Sequence, residues 1–169
     1  MDRTLPPALA EANAMTYDYD DGNGFDFEPY DQFLDADETT EWIRGWTGSD
    51  RLTGEALRVF GQDGTGGYAA IWLARDGKPL AAQPIVFLGS EGERGVVAAN
   101  LADYLWVLAG GFGPYEAIAY GGSTRELQME FADLAAKHAP DAEKPARDAI
   151  RLAGEAFPDF AAIVDTWCH

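Results

Sequence analysis

Carboxylates are the side chains this sequence offers most freely for chemistry, with 29 Asp and Glu against 12 Lys and Arg and only two histidines. They are densest in Asp18-Tyr19-Asp20-Asp21-Gly22-Asn23-Gly24-Phe25-Asp26-Phe27-Glu28. Calcium is the first chemistry to test there, because an EF-hand loop wants oxygen ligands at positions 1, 3 and 5, Gly at 6 and Glu at 12. With Gly24 at position 6, Asp21 and Asn23 fall suitably, but Tyr19 and Tyr30 occupy positions 1 and 12. With Gly22 there, Tyr17 takes position 1. Neither register supplies a ligand set, so the run reads as a solvated acidic turn.

Phosphate binding is the second chemistry, suggested by Gly61, Gly64, Gly66 and Gly67. No Lys-Ser/Thr follows the glycines, the next residues are strand-like, and Asp63 would repel a phosphate. A hairpin needing positive φ at several glycines accounts for them without a ligand. Acid–base catalysis is the third. Glu91 and Glu93 share a turn at a sheet edge, where the competing reading is a solvated turn. His138 lies at a helix end before Pro140, and His169 follows Cys168 at the C-terminus. Neither imidazole has the rigid third partner of a triad, and Cys168 with His169 lacks the paired spacing of a zinc site. Both histidines read as solvated, and no metal or cofactor is expected.

The elements that would carry these groups are legible as periodicities. Leu57–Phe60, Tyr68–Ala74, a Pro84-led Ile85–Leu88 and Val96–Ala99 are short β-branched and aromatic runs between Gly/Asp turns. They predict a central, mostly antiparallel sheet of about four to six strands. Asn100 caps a predicted helix over Leu101–Ala109, whose Leu101, Leu105 and Leu108 would roof the sheet on one side. A second helix is predicted from Asp37 to Trp46, with Trp42 and Trp46 as core anchors. Tyr115–Tyr120 fits either a loop or an edge strand. Ser123-Thr124-Arg125-Glu126 has the form of a capping box for a helix reaching about Lys137, with Leu127, Phe131 and Leu134 buried. Asp141 reads as the cap of another helix, broken by Gly154 or Pro158. Phe160, Ile163, Val164 and Trp167 make a last apolar face in need of a partner surface. Residues 1–17 read as a frayed arm or a short helix. The expected organisation is one α+β domain over residues 1–169, with helices packed around the sheet. It has an acidic N-terminal arm over about 1–30 and a helical C-terminal tail over about 123–169.

The formal net charge of −17 is unevenly spread. Residues 1–50 hold 13 acids against 2 bases, while residues 51–122 hold 7 against 5. Such a surface repels nucleic acid and anionic membrane and steers basic partners inward. One cysteine excludes an internal disulfide and fits a reducing compartment. No basic-then-apolar leader and no apolar run of about 20 residues is visible, so a cytoplasmic setting is expected.

Val59-Phe60-Gly61-Gln62-Asp63-Gly64-Thr65-Gly66-Gly67-Tyr68, then Pro84-Ile85-Val86-Phe87-Leu88-Gly89-Ser90-Glu91-Gly92 and Leu101-Ala102-Asp103-Tyr104-Leu105, resemble the SUKH superfamily of Smi/Knr-like proteins. The likeness spans about residues 37–111. It implies an α+β fold with helices around a mostly antiparallel sheet. It also implies a binding role, because many members look like immunity proteins against polymorphic toxins, often nucleases or deaminases. The long acidic front and the helical tail depart from that pattern.

Charge and resemblance therefore converge on a non-enzymatic protein-binding domain that docks a basic partner, such as a toxin nuclease, through acidic side chains. The candidate partner-binding residues are Asp18, Asp20, Asp21, Asp26, Glu28, Asp63, Glu91 and Glu93. Tyr17, Tyr19, Phe25, Phe27 and Tyr30 are the candidate aromatic anchors, or else the lip of the core. A housekeeping scaffold and a carboxylate hydrolase are the alternatives.

Overall fold

The computed structural model describes residues 1–168. Five antiparallel strands lie in sequence order as a meander: β1 (Glu28–Pro29), β2 (Leu57–Gln62), β3 (Tyr68–Trp72), β4 (Ile85–Leu88) and β5 (Arg94–Ala98). The α+β expectation holds, as does the antiparallel sheet.

Helices cover both faces of the sheet, not one. Alternate residues of β4 show why: Ile85 and Phe87 enter one apolar cluster while Val86 and Leu88 enter the other. A strand buried on both sides needs an unbroken apolar run, and Ile-Val-Phe-Leu supplies it. The first face packs against α1 (Pro7–Asn13), α3 (Leu101–Ala109), α4 (Pro114–Tyr120) and α5 (Met129–His138). The second is covered by α2 (Ala36–Thr47), by Ala153 of α6 (Ala146–Ala156), and by α7 (Phe160–Trp167). β2 serves both faces by the same alternation, and a bulge at Phe60 shifts its register against β3. Val59 pairs with Ala70 and Gly61 with Ala69, while Val59 joins the second cluster and Phe60 the first.

Local chemistry sets the helix ends. Asp35 caps α2 by accepting from the Asp37 amide at 2.8 Å, and Gly48 closes the helix at φ 73°. Asn100 caps α3 as expected, accepting from the Asp103 amide at 2.8 Å. The last apolar face finds its partner within the chain, with the Phe160 ring 4.9 Å from that of Trp72.

Four expectations are corrected. Tyr115–Tyr120 is neither loop nor strand but α4, started by Pro114 at its first position. Residues 123–128 are not helical: Ser123 Oγ donates backward to the Tyr120 carbonyl at 2.6 Å, and Leu127 is exposed. The helix starts only at Met129. Asp141 caps no helix; it lies in a single 3-10 turn, and α6 opens after Pro145. Residues 1–17 hold the expected short helix, α1, and the arm is not frayed but embedded in the body, since Leu5, Leu9, Ala12, Phe25 and Phe27 are core residues. Asn13 fastens it by donating to the Tyr30 and Phe60 carbonyls at 2.9 and 3.0 Å, and β1 adds a fifth strand to the sheet.

Candidate functional site

The loop of residues 18–24 is one outward part of the acidic front; Glu28, Asp31, Asp37, Glu38, Glu41 and Asp50 are exposed outside it. The Asp18 carbonyl accepts from the Phe25 amide at 2.8 Å, and the Tyr19 carbonyl accepts from the Gly22 and Gly24 amides at 3.0 Å each. Asp20 and Asp21 stand at φ 44° and 50°, a left-handed conformation that Asp tolerates better than most residues. Gly24 is required by contact, because a Cβ there would lie 1.9 Å from the Asp18 carbonyl oxygen. The loop therefore holds its shape while its carboxylates stay in solvent.

This loop is one wall of an open cleft of about 1080 Å³. The facing wall is residues 120–131, and Phe25 and Phe131 are buried at its base with ring centroids 5.1 Å apart. Arg125 ties the walls together. Its Nη2 donates to the Gly24 carbonyl at 2.9 Å and the Gly22 carbonyl at 3.2 Å, and the guanidinium carbon lies 5.6 Å from the centre of the Phe112 ring. Asp18, Asp20, Glu126 and Glu130 line the cleft, and Tyr120 and Met129 expose apolar surface on its second wall.

The eight carboxylates singled out in the sequence are not one surface. Asp18, Asp20 and Asp21 share the cleft loop and are exposed. Asp26 turns inward, accepting from the Gly64 amide at 2.8 Å, and its own amide donates to Glu116 Oε2 at 3.0 Å. Glu28 is on the edge strand, where Gln62 Nε2 donates to it at 3.1 Å. Glu91 is exposed on the β4–β5 turn, and neither it nor Glu93 lines the cleft. Glu93 is half-buried against Gly89, and its Oε1 has no hydrogen-bond partner among the described residues.

Asp63 is corrected outright: it is 1% exposed and cannot meet a partner. Its Oδ1 accepts from the Thr65 and Gly67 amides at 3.0 and 2.8 Å and from the Thr65 hydroxyl at 2.8 Å. The glycine-rich loop is thus an amide nest already filled by the chain's own carboxylate. Only Gly66 of that loop takes positive φ; Gly61 is there because a Cβ would meet the Phe27 ring at 2.4 Å.

The aromatic anchors divide similarly. Phe25 and Phe27 are core, Tyr17 and Tyr30 are half-buried, and Tyr19 is exposed. Burial pushes the Tyr17 hydroxyl well above the ordinary phenol value, and it donates to the Ala12 carbonyl at 2.9 Å. Sequence reasoning missed Tyr120, Met129, Glu126 and Glu130 as cleft residues. The Gly121-Gly122 pair after Tyr120 was the available sign that the chain breaks there and leaves side chains outward.

Glu116 is the hidden carboxylate at this end of the molecule. It is 3% exposed, and its Oε1 accepts from the Gly113 amide at 3.1 Å while Oε2 holds Asp26. Burial pushes its pKa above the ordinary glutamate value, against the lowering effect of these hydrogen bonds and of Arg125. His138 contacts Glu11, which Lys137 also approaches at 2.7 Å, so it joins α5 to α1 and is not a free surface imidazole. His169 lies outside the described residues, and Cys168 is half-buried with Sγ 3.5 Å from the Val164 carbonyl.

Among the described residues, no group of three or more His, Cys, Asp or Glu side chains is placed to hold a metal ion. Nor is any described helix long and apolar enough to cross a membrane. Searches with the chain found no matching family model, curated protein or solved structure.

Proposed function

We propose that this chain is a non-enzymatic protein-binding domain of the immunity type, with the SUKH-like character its central strands suggest. It neutralises a toxin in the cytoplasm by covering a basic surface such as a nuclease groove, and no bond is made or broken. The observation that carries this reading is the cleft, where a rigid carboxylate loop faces exposed apolar side chains. Complementary potential speeds encounter and disfavours wrong partners, while apolar anchors at the centre of an interface supply most of the affinity.

The test is a titration. The reading expects a toxin domain to be encoded in an adjacent gene; that domain is purified, and its nuclease or deaminase activity is followed as the full chain is added. Stoichiometric loss of activity with formation of a complex is expected. A toxin that stays fully active and forms no complex with equimolar chain refutes the reading.

A further inference from the structure

We propose that the cleft between the loop of residues 18–24 and residues 120–131 receives a basic polypeptide segment whose Lys or Arg side chains flank one apolar anchor. This rests on the docking reading above and names the chemistry of the partner at that site.

Charge is the first argument. Four carboxylates, Asp18, Asp20, Glu126 and Glu130, line the cleft against one cation, Arg125. None of the four forms an ion pair among the described residues. The Arg125 guanidinium is occupied by the Gly22 and Gly24 carbonyls and by the Phe112 ring. The field in the cleft is therefore negative and uncompensated, and it is focused by a concave wall.

Apolar exposure is the second argument and is independent of the first. Met129 is 63% exposed and Tyr120 51%, both on the cleft wall. Leu127, 56% exposed, lines a smaller adjoining hollow, and Tyr19, 57% exposed, sits on the facing loop. These are four of the six large apolar side chains exposed among the described residues, so the exposure is gathered and not scattered. Met129 is unbranched and adapts to the shape of what it meets, while Tyr120 is a rigid anchor.

The negative field and the exposed apolar side chains together select the occupant. A second copy of this chain carries the same net charge of −17 and would be repelled, as would polyanions or anionic lipid surfaces. A purely cationic segment would leave Met129 and Tyr120 in water. A segment with one apolar residue between Lys or Arg residues satisfies both wall types. Because Arg125 holds the walls together before binding, little ordering is required of the receptor.

The experiment uses the full chain, isotope-labelled for amide NMR, and two synthetic peptides of equal length and charge. One carries Lys around a single central Trp; in the other Ser replaces that Trp. The first peptide is expected to shift amides of residues 16–25 and 120–131 and to bind about tenfold more tightly than the second. Met129→Ser should remove most of that tenfold advantage and leave the salt dependence intact. Asp18→Asn with Asp20→Asn should lower affinity for both peptides and flatten the salt dependence. Equal affinities for the two peptides overturn the apolar anchor. Shifts centred away from the two walls overturn the cleft assignment while the broader docking reading stands. Failure of both peptides to bind at low salt overturns the inference, while the docking reading is decided by the toxin titration.

Discussion

Replacing Asp63 by alanine deletes one carboxylate oxygen that accepts three hydrogen bonds, two from amides and one from the Thr65 hydroxyl. Thr65 is exposed, so its amide and hydroxyl recover water and forfeit about 1 kcal/mol between them. Gly67 is buried, and its amide is left with no acceptor at a cost of about 2 kcal/mol. The expected loss is about 3 kcal/mol, equivalent to roughly 10 °C in Tm for a chain of this size. Asp63→Asn keeps an acceptor oxygen while surrendering the charge, so it should lose about 1 kcal/mol. Urea unfolding followed by tryptophan fluorescence measures both, with a shifted midpoint and an unchanged slope. A loss below about 0.5 kcal/mol for Asp63→Ala, or an asparagine variant no better than the alanine one, would refute the turn-organising role. Because Asp63 is buried away from any partner, Asp63→Asn should also leave association with a basic partner unchanged within about twofold.

Three further perturbations probe the supports of the cleft and the core. Glu116 has a folded-state pKa raised by burial, so its contribution is fully present below the unfolded value and is lost as pH rises through the folded one. Glu116→Gln should abolish that component, and the stability difference between variant and wild type should shift in the variant's favour across this window; a pH-independent difference contradicts it. Lys144→Met strands the buried carboxylate of Asp103, its ion-pair partner, and should cost about 2 to 3 kcal/mol in urea unfolding. Lys144→Met combined with Asp103→Leu should recover most of that loss, and no recovery would refute the pairing argument. Arg125→Ala frees the Gly22 and Gly24 carbonyls, so hydrogen exchange of residues 18–25 should quicken about tenfold while the strands keep their protection. Unchanged exchange in the loop would mean that Arg125 does not hold the walls.

The sheet was legible where its strands are continuous apolar runs, because Ile85–Leu88 leaves no other reading once Gly/Asp turns bound it. β1 was not legible, since two residues, one of them proline, carry no periodicity; Glu28 and Pro29 become a strand only because Asn13 and β2 hold them there. Ser123 to Glu126 matched a helix start, yet Arg125 reaches for the Gly22 and Gly24 carbonyls, a contact 101 residues or more away in sequence that local pattern cannot show. The acidic loop itself was visible from composition. Which of its neighbours are internal was not: Asp26 and Asp63 look like Asp18 and Asp20 until the amides of Gly64 and Gly67 are placed beside them. The second wall went unseen for the opposite reason, because Leu127 fits an apolar stripe that the chain does not form.

The carboxylate loop is expected to steer a basic partner into place, and stopped-flow association measures that step. Wild type and an Asp18→Asn, Asp20→Asn, Asp21→Asn variant are mixed with the basic toxin domain at ionic strengths from about 0.02 to 0.5 M, a range over which the screening length falls several-fold. The account predicts that the variant associates about tenfold more slowly at low salt and that the two rates converge as salt rises, with Tm unchanged. Equal rates at every salt concentration, or a wild-type rate indifferent to salt, would contradict it.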